Sequence, residues 1–163
     1  MSRFPLPEQE PCYFCEIVAG HVNQWQIVEE AALTVTLLNG RQFEIGQCVV
    51  VPRRHAPTIL DLKVDESAAI MLAAQRLTEA MADMFGTDGV LLYQNNGTGS
   101  GQEVPHFHLH VVPRRAGSDW GLGPPHIERL GREGRSLHAD HSVETIEKRA
   151  TATSLRAALR DVR

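Results

Sequence analysis

Three of the chain's eight histidines stand within five residues, at His106, His108 and His110, with Phe107 and Leu109 between them and Val111 after. Extended backbone sends successive side chains to opposite faces. Such a segment presents a row of imidazoles on one side and Phe107, Leu109 and Val111 on the other, so one face can do chemistry while the other is buried. An affinity-tag remnant would place adjacent histidines at a terminus, and this run is internal and interleaved with apolar residues. Imidazoles in a row can bind a metal, or they can serve phosphate chemistry as nucleophile and hydrogen-bond donors. The preceding stretch, Gln94-Asn95-Asn96-Gly97-Thr98-Gly99-Ser100-Gly101, favours phosphate, because it offers amide side chains and backbone N–H groups of the kind that cradle an anion.

A second candidate lies at Cys12 and Cys15, whose Cys-x-x-Cys spacing suits half of a metal site. The third cysteine, Cys48, sits in an apolar run and reads as a buried thiol. An odd number of cysteines does not make a secreted disulfide framework. The chain has 163 residues, 42% hydrophobic and 22% charged, which is one ordinary globular domain able to bury a core. A formal charge of -4 argues against a nucleic-acid polymer as partner, since no broad cationic face is available. Arg53-Arg54 and Arg114-Arg115 read as solvated loop charges. No run of about 18 apolar residues suggests a membrane span, and the first residues lack the apolar core of a signal peptide, so a cytoplasmic protein is expected.

The elements that must position these residues follow from periodicity. Residues 1–11 carry three prolines and predict an extended tail. Residues 12–20 read as a short helix closed by Gly20. Residues 25–29 and 33–38 read as two strands about a turn at Glu29-Glu30, and residues 47–52 as a central strand stopped by Pro52. From Asp65, taken as its cap, to Phe85 the apolar residues Ile70, Ala73, Ala74, Leu77, Met81 and Met84 repeat at three and four, the pattern of a long helix ended by Gly86. A strand over 90–94 and the histidine strand flank the polar loop, which can hang over the imidazole face. Residues 114–140 predict a long irregular excursion, a candidate lid, and 143–161 a helix capped by Ser142 with Ile146, Leu155, Leu159 and Val162 on its apolar side. The whole is an α+β pattern with an antiparallel sheet.

The run His106 to Val112 resembles the His-φ-His-φ-His-φ-φ motif of the histidine triad family. Gly46 with Val49-Val50-Val51-Pro52-Arg53-Arg54-His55, then Gln94-Asn95-Asn96-Gly97, then Gly101-Gln102 extend the likeness. It implies a histidine triad domain over residues 12–116: an antiparallel sheet with a long helix and a short N-terminal helix packed against it. Residues 117–163, an irregular loop and C-terminal helix, lie beyond. The implied activity is hydrolysis at the α-phosphorus of nucleoside conjugates, dinucleoside polyphosphates or phosphoramidates, with a purine nucleotide as the bound partner. His108 would be the nucleophile, forming a nucleotidyl-histidine, and His110, Asn95 and Gln102 would hold phosphate oxygens. The alternatives it leaves are a nucleotidyltransferase or phosphorylase, and a zinc-stabilised nucleotide-binding protein with little turnover.

A zinc-containing branch of the family implies a structural Zn²⁺ on Cys12, Cys15, His55 and His106, with no metal needed for the chemistry. The implied base pocket is Phe14, Ile17 and Leu37, with Asn39 at the ribose. Asn39 and Pro113-Arg114-Arg115-Ala116-Gly117-Ser118-Asp119 look like the fragile-type branch that cleaves diadenosine polyphosphates. The sequence departs from that branch at Gln47, where a histidine is frequent, at Gly40 in place of an apolar residue, and in lacking the usual proline in 39–44. Glu103 reads either as a general acid or as a solvated carboxylate. A homodimer is implied by resemblance. His21, His126, His138 and His141 match nothing in the motif and read as surface residues.

Overall fold

The computed structural model describes residues 3–42, 44–117 and 146–162. The expected irregular excursion beyond Gly117, the Ser142 cap, Val143, and His126, His138 and His141 lie outside them. Five strands form one antiparallel sheet in the order β1-β2-β3-β5-β4: β1 (Ile27–Glu30), β2 (Thr34–Leu38), β3 (Cys48–Pro52), β4 (Gly89–Tyr93) and β5 (Leu109–Arg114). Among the described residues, no helix is long and apolar enough to cross a membrane.

Strands β2 and β3 are buried along their whole length, and alternate residues go to different cores. Val35, Leu37, Val49 and Val51 meet Phe14 and Ile17 of helix α1 (Tyr13–Val18) on one face. Leu38, Cys48 and Val50 join Leu109 and Val111 on the other, under helix α2 (Val64–Phe85) with its Ile70, Ala73, Ala74, Leu77 and Met81. A sheet covered on both faces needs apolar residues at successive positions, which is why 47–52 shows no alternation. Helix α3 (Ile146–Asp161) completes the second core with Ala152, Leu155 and Leu159, and Arg76 of α2 donates to the Leu159 and Val162 carbonyls at its C-terminal end. The C-terminal helix thus shares the core of the sheet. Burying three such aliphatic side chains, two of them leucines, stabilises the fold by several kcal/mol, at about 1.5–3 kcal/mol for each leucine.

Local expectations are corrected at three places. The first turn falls at Ala31-Ala32-Leu33, with Glu29 and Glu30 still paired to Thr36 and Val35. Helix α2 begins at Val64, with Lys63 rather than Asp65 in the capping position. The Lys63 N–H donates to the Glu66 carboxylate at 2.8 Å, a carboxylate reaching back from three residues into the helix. Pairing of β5 begins at Leu109, so His106 and His108 precede the ladder. Pro52 ends β3, and the Phe107 N–H donates instead to the Ala56 carbonyl at 2.6 Å. The alternation survives, since Phe107, Leu109 and Val111 all enter the α2-side core.

Glu66 is buried and takes a bidentate grip from Arg54, Nε to Oε1 at 2.9 Å and Nη2 to Oε2 at 2.7 Å. Arg54 is the larger cause that holds its carboxyl below the usual range, outweighing burial, which raises it. A carboxyl whose folded value is depressed stabilises the fold above its unfolded value of about 4.3, and that contribution disappears as pH falls through the lower folded value. Glu66→Gln is therefore expected to lower the melting temperature at neutral pH, with the gap to wild type closing below about pH 4. Thermal melts of both proteins across the acid range check this; a gap independent of pH would contradict it.

Candidate active site and metal centre

Strand β5 and its lead-in bring the triad against three other elements. The His108 Nδ1–H donates to the His106 carbonyl at 2.7 Å, which leaves the lone pair on Nε2. Burial pushes His108 below the ordinary imidazole range, so the ring is neutral and its lone pair available near neutral pH. The Phe14 ring lies 5.1 Å from His108 and 5.8 Å from His106, so α1 braces the triad as well as its own core. The rings of His108 and His110 meet edge to face at 4.9 Å.

His110 pairs with Tyr93 across β4 and β5 and with Val49 across β3. Tyr93 stacks on its ring at 4.3 Å with planes 10° apart, and the Gln47 amide nitrogen lies 3.2 Å from Nδ1. Gln47 is fully buried. It follows Gly46, whose φ of +94° and whose packing against the Phe85 ring leave no room for a Cβ. In the sequence Gln47 reads as a departure from the fragile-type branch and Tyr93 carries no role. Same-face spacing of Gln47 and Val49 was the signal that could have found the first, since Val49 is the cross-strand partner of His110.

The residues expected to bind substrate are brought together in part. Phe14, Ile17 and Leu37 form one buried cluster beside the triad. The Asn39 Oδ1 accepts from the Arg41 N–H at 3.3 Å. The Asn95 amide donates to the Gly101 carbonyl at 3.3 Å. Gln102 is spent on the loop. Its amide donates to Pro57 and Val104 carbonyls at 2.7 and 2.8 Å, and its oxygen accepts from the Gly97 N–H at 2.6 Å. Three of the loop's own N–H groups are engaged as well: Thr98 donates to Pro5, Ser100 to Gly97 and Gly101 to Thr98. The Gly97 and Thr98 N–H groups are thus taken by protein oxygens, while Thr98, Gly99 and Ser100 stay exposed. Glu103 is 64% exposed and salt-bridged to Arg41 at 3.3 Å, the setting of a solvated carboxylate. His21, outside the site, is exposed and paired with Glu16 at 3.1 Å.

Beside the triad, Cys12 and Cys15 flank the start of α1, and His55 follows β3. With His106 they bring four ligand atoms within 4.8 Å of one another. The sulfur to nitrogen separations are 3.6 Å for Cys12 to His106, 3.5 Å for Cys15 to His106 and 3.3 Å for Cys15 to His55. Tetrahedral zinc, with Zn–S about 2.3 Å and Zn–N about 2.0–2.1 Å, spaces such atoms about 3.5 Å apart. The His106 Nε2–H donates to the Pro52 carbonyl at 2.9 Å, which turns the Nδ1 lone pair towards the two sulfurs. Burial drives His106 down to about 4, and burial together with Cys12 drives the Cys15 thiol up to about 12. The imidazole is already in its ligand form; a cation would have to expel the thiol proton. Two thiolates and two imidazoles suit a closed zinc site, with no position left for a substrate.

Comparison with known proteins agrees with this geometry. The chain is 31% identical over 94 residues to a bis(5′-adenosyl)-triphosphatase of Dictyostelium discoideum, covering 58% of this chain and 63% of that protein. It is 30% identical over 131 residues to an adenosine 5′-monophosphoramidase of Schizosaccharomyces pombe, covering 75% of this chain and 94% of that one. Its fold matches the crystal structure of a zinc-bound histidine triad family protein from Mycobacterium smegmatis with a TM-score of 0.73 and 26% identity, over 93% of this chain and 94% of the other. The HIT domain model matches residues 20–117, a span that holds His55, Gln47, Tyr93 and all three triad histidines. By fold, by triad and by this match, the chain belongs to the histidine triad family.

Proposed function

We propose that the protein hydrolyses adenosine nucleotide conjugates, dinucleoside polyphosphates or phosphoramidates, at the α-phosphorus through His108. The observation that carries the reading is the 2.7 Å bond from His108 Nδ1–H to the His106 carbonyl, which leaves a neutral imidazole with its Nε2 lone pair available. That lone pair forms an N–P bond as the bond from phosphorus to the leaving group breaks, and the leaving group departs with the electron pair and takes up a proton. Water then attacks phosphorus and loses a proton to solvent, the N–P bond breaks with its electron pair returning to the imidazole, and AMP is released. His110 holds a non-bridging oxygen, where charge is spread in the transition state. Asn95 and Gln102 act by fixing the loop beside the triad. Phe14, Ile17 and Leu37 form the apolar wall for the base, with Asn39 at the sugar. The names of the two enzyme relatives support an adenosine conjugate as substrate.

Zn²⁺ on Cys12, Cys15, His55 and His106 completes the reading. When bound it supplies a crosslink and no catalytic step. Cys12, Cys15, His55 and His106 would hold it, joining the start of α1 and the segment after β3 to the lead-in of β5, and the His106 carbonyl would thereby be fixed where it orients His108.

A product profile tests the assignment. The protein is incubated with diadenosine triphosphate, diadenosine tetraphosphate and adenosine 5′-monophosphoramidate, in phosphate buffer and in phosphate-free buffer. The account predicts AMP as the adenosine product carrying the attacked phosphorus in both buffers. An ADP product that appears only with phosphate would move the assignment to a phosphorylase. Saturable nucleotide binding without any product would leave a zinc-stabilised binding protein.

A further inference from the structure

The triad's third histidine is held by two residues at the neighbouring strands, Tyr93 and Gln47. Tyr93, directly opposite His110 across β4 and β5, lies nearly parallel to its ring at 4.3 Å, which fixes the ring plane. Gln47, fully buried, hydrogen-bonds both partners: its amide nitrogen is 3.2 Å from His110 Nδ1, and it also bonds the Tyr93 hydroxyl. An apolar residue would fill that position at lower cost than a buried amide, whose polar atoms must all find partners. Three elements are committed to one ring: the residue before β3, the last residue of β4 and the second residue of β5.

We propose that Gln47 and Tyr93 are positioning residues that hold His110 in one tautomer, with Nδ1 accepting from the Gln47 amide and the proton on Nε2. The stack fixes the plane of the ring and the amide fixes which nitrogen bears hydrogen. The clamp gives the ring a permanent N–H donor beside His108, the arrangement that stabilises developing charge on a phosphoryl oxygen. Burial and the neighbouring His108 push His110 well below its ordinary range, and burial pushes Tyr93 up to about 12, so ring and phenol both stay uncharged. This function of the clamp rests on the hydrolase reading; its geometry does not.

The test reads the tautomer directly. Nitrogen-15 spectra of the folded protein, labelled in its histidine rings and assigned with His110→Asn, are recorded at neutral pH. The proposal expects the His110 proton on Nε2 in wild type. In Gln47→Glu, whose carboxylate only accepts, it expects the proton on Nδ1 and kcat lowered on the order of 10²-fold, the cost of one transition-state donor, with KM little changed. In Gln47→His, which can again donate to Nδ1, Nε2–H and most of kcat return. A wild-type proton on Nδ1 overturns the proposal whatever the variants do, so it stays falsifiable if Gln47→Glu fails to fold. Equal loss of kcat in the Glu and His variants overturns it too, because that pattern reports packing. The two readings fail separately. Nε2–H without turnover on any adenosine conjugate removes the hydrolase and leaves the clamp, and turnover through His108 with Nδ1–H on His110 does the reverse.

Discussion

Replacing His108 with alanine should lower kcat on diadenosine polyphosphates or adenosine phosphoramidate on the order of 10⁴- to 10⁶-fold, the range seen when a covalent nucleophile is removed. The size follows from the role. His108 is the triad ring whose Nδ1–H is fixed on a backbone carbonyl with Nε2 left to attack, and removing it closes the two-step route altogether. The donors that stabilise the phosphoryl oxygens stay in place, so nucleotide affinity should change by less than about 10-fold. Side-by-side steady-state kinetics and equilibrium binding of a non-hydrolysed nucleotide check the pair of effects. A variant that keeps a tenth or more of wild-type kcat would show that the imidazole is not the nucleophile. Lost affinity with lost turnover would show that the ring binds rather than reacts.

Removing the metal should act on stability far more than on chemistry. A cation bound at about a thousand times its dissociation constant contributes about 4 kcal/mol. For a domain of this size that is a fall in melting temperature of about 10 °C. Cys15→Ser should produce that fall, with bound zinc by elemental analysis dropping from about one per chain to well below it. Chelation of wild type should do the same. The kcat of the surviving folded protein should drop by no more than about 10- to 100-fold, since an ion held there would aim His108 only through His106. A metal-free preparation that melts where the loaded protein melts would remove the crosslink from the account. Complete loss of turnover in a stable, folded, metal-free protein would place the ion in the chemistry.

The fold and the site were legible where a period or a spacing carries the physics. Alternation in residues 106–112 placed Phe107, Leu109 and Val111 in the core and the imidazoles opposite, although only His110 is in the paired strand. The long helix announced itself through Ile70, Ala73, Ala74, Leu77 and Met81, all buried in one cluster. Cys12 and Cys15, expected with His55 and His106 from the family likeness, do converge with them. What could not be read was competition between polar groups. Asp65 and Glu66 are equally good first-turn acids on paper, and the choice of Glu66 depends on Arg54, twelve residues earlier, being free to grip it. The loop at 94–101 has the composition of an anion cradle, and which of its N–H groups are taken, Gly97 by Gln102 and Thr98 by Pro5, depends on how the chain closes around it. Gln47 and Tyr93 meet at His110 only because β3, β5 and β4 are neighbours in that order. Strand order is a long-range fact that no local pattern encodes.

The central claim is a bond between His108 and phosphorus, and trapping it is the most direct test. The protein is mixed with a diadenosine polyphosphate labelled at the α-phosphorus, denatured during turnover in alkaline solution, where an imidazole–phosphorus bond is not lost to ring protonation, and digested for mass spectrometry. The account predicts an adenylyl group on the peptide carrying His108, on that ring and not on His106 or His110, and none in His108→Ala. Steady product release with no label on any histidine at any quench time would contradict it, because water would then be attacking phosphorus directly.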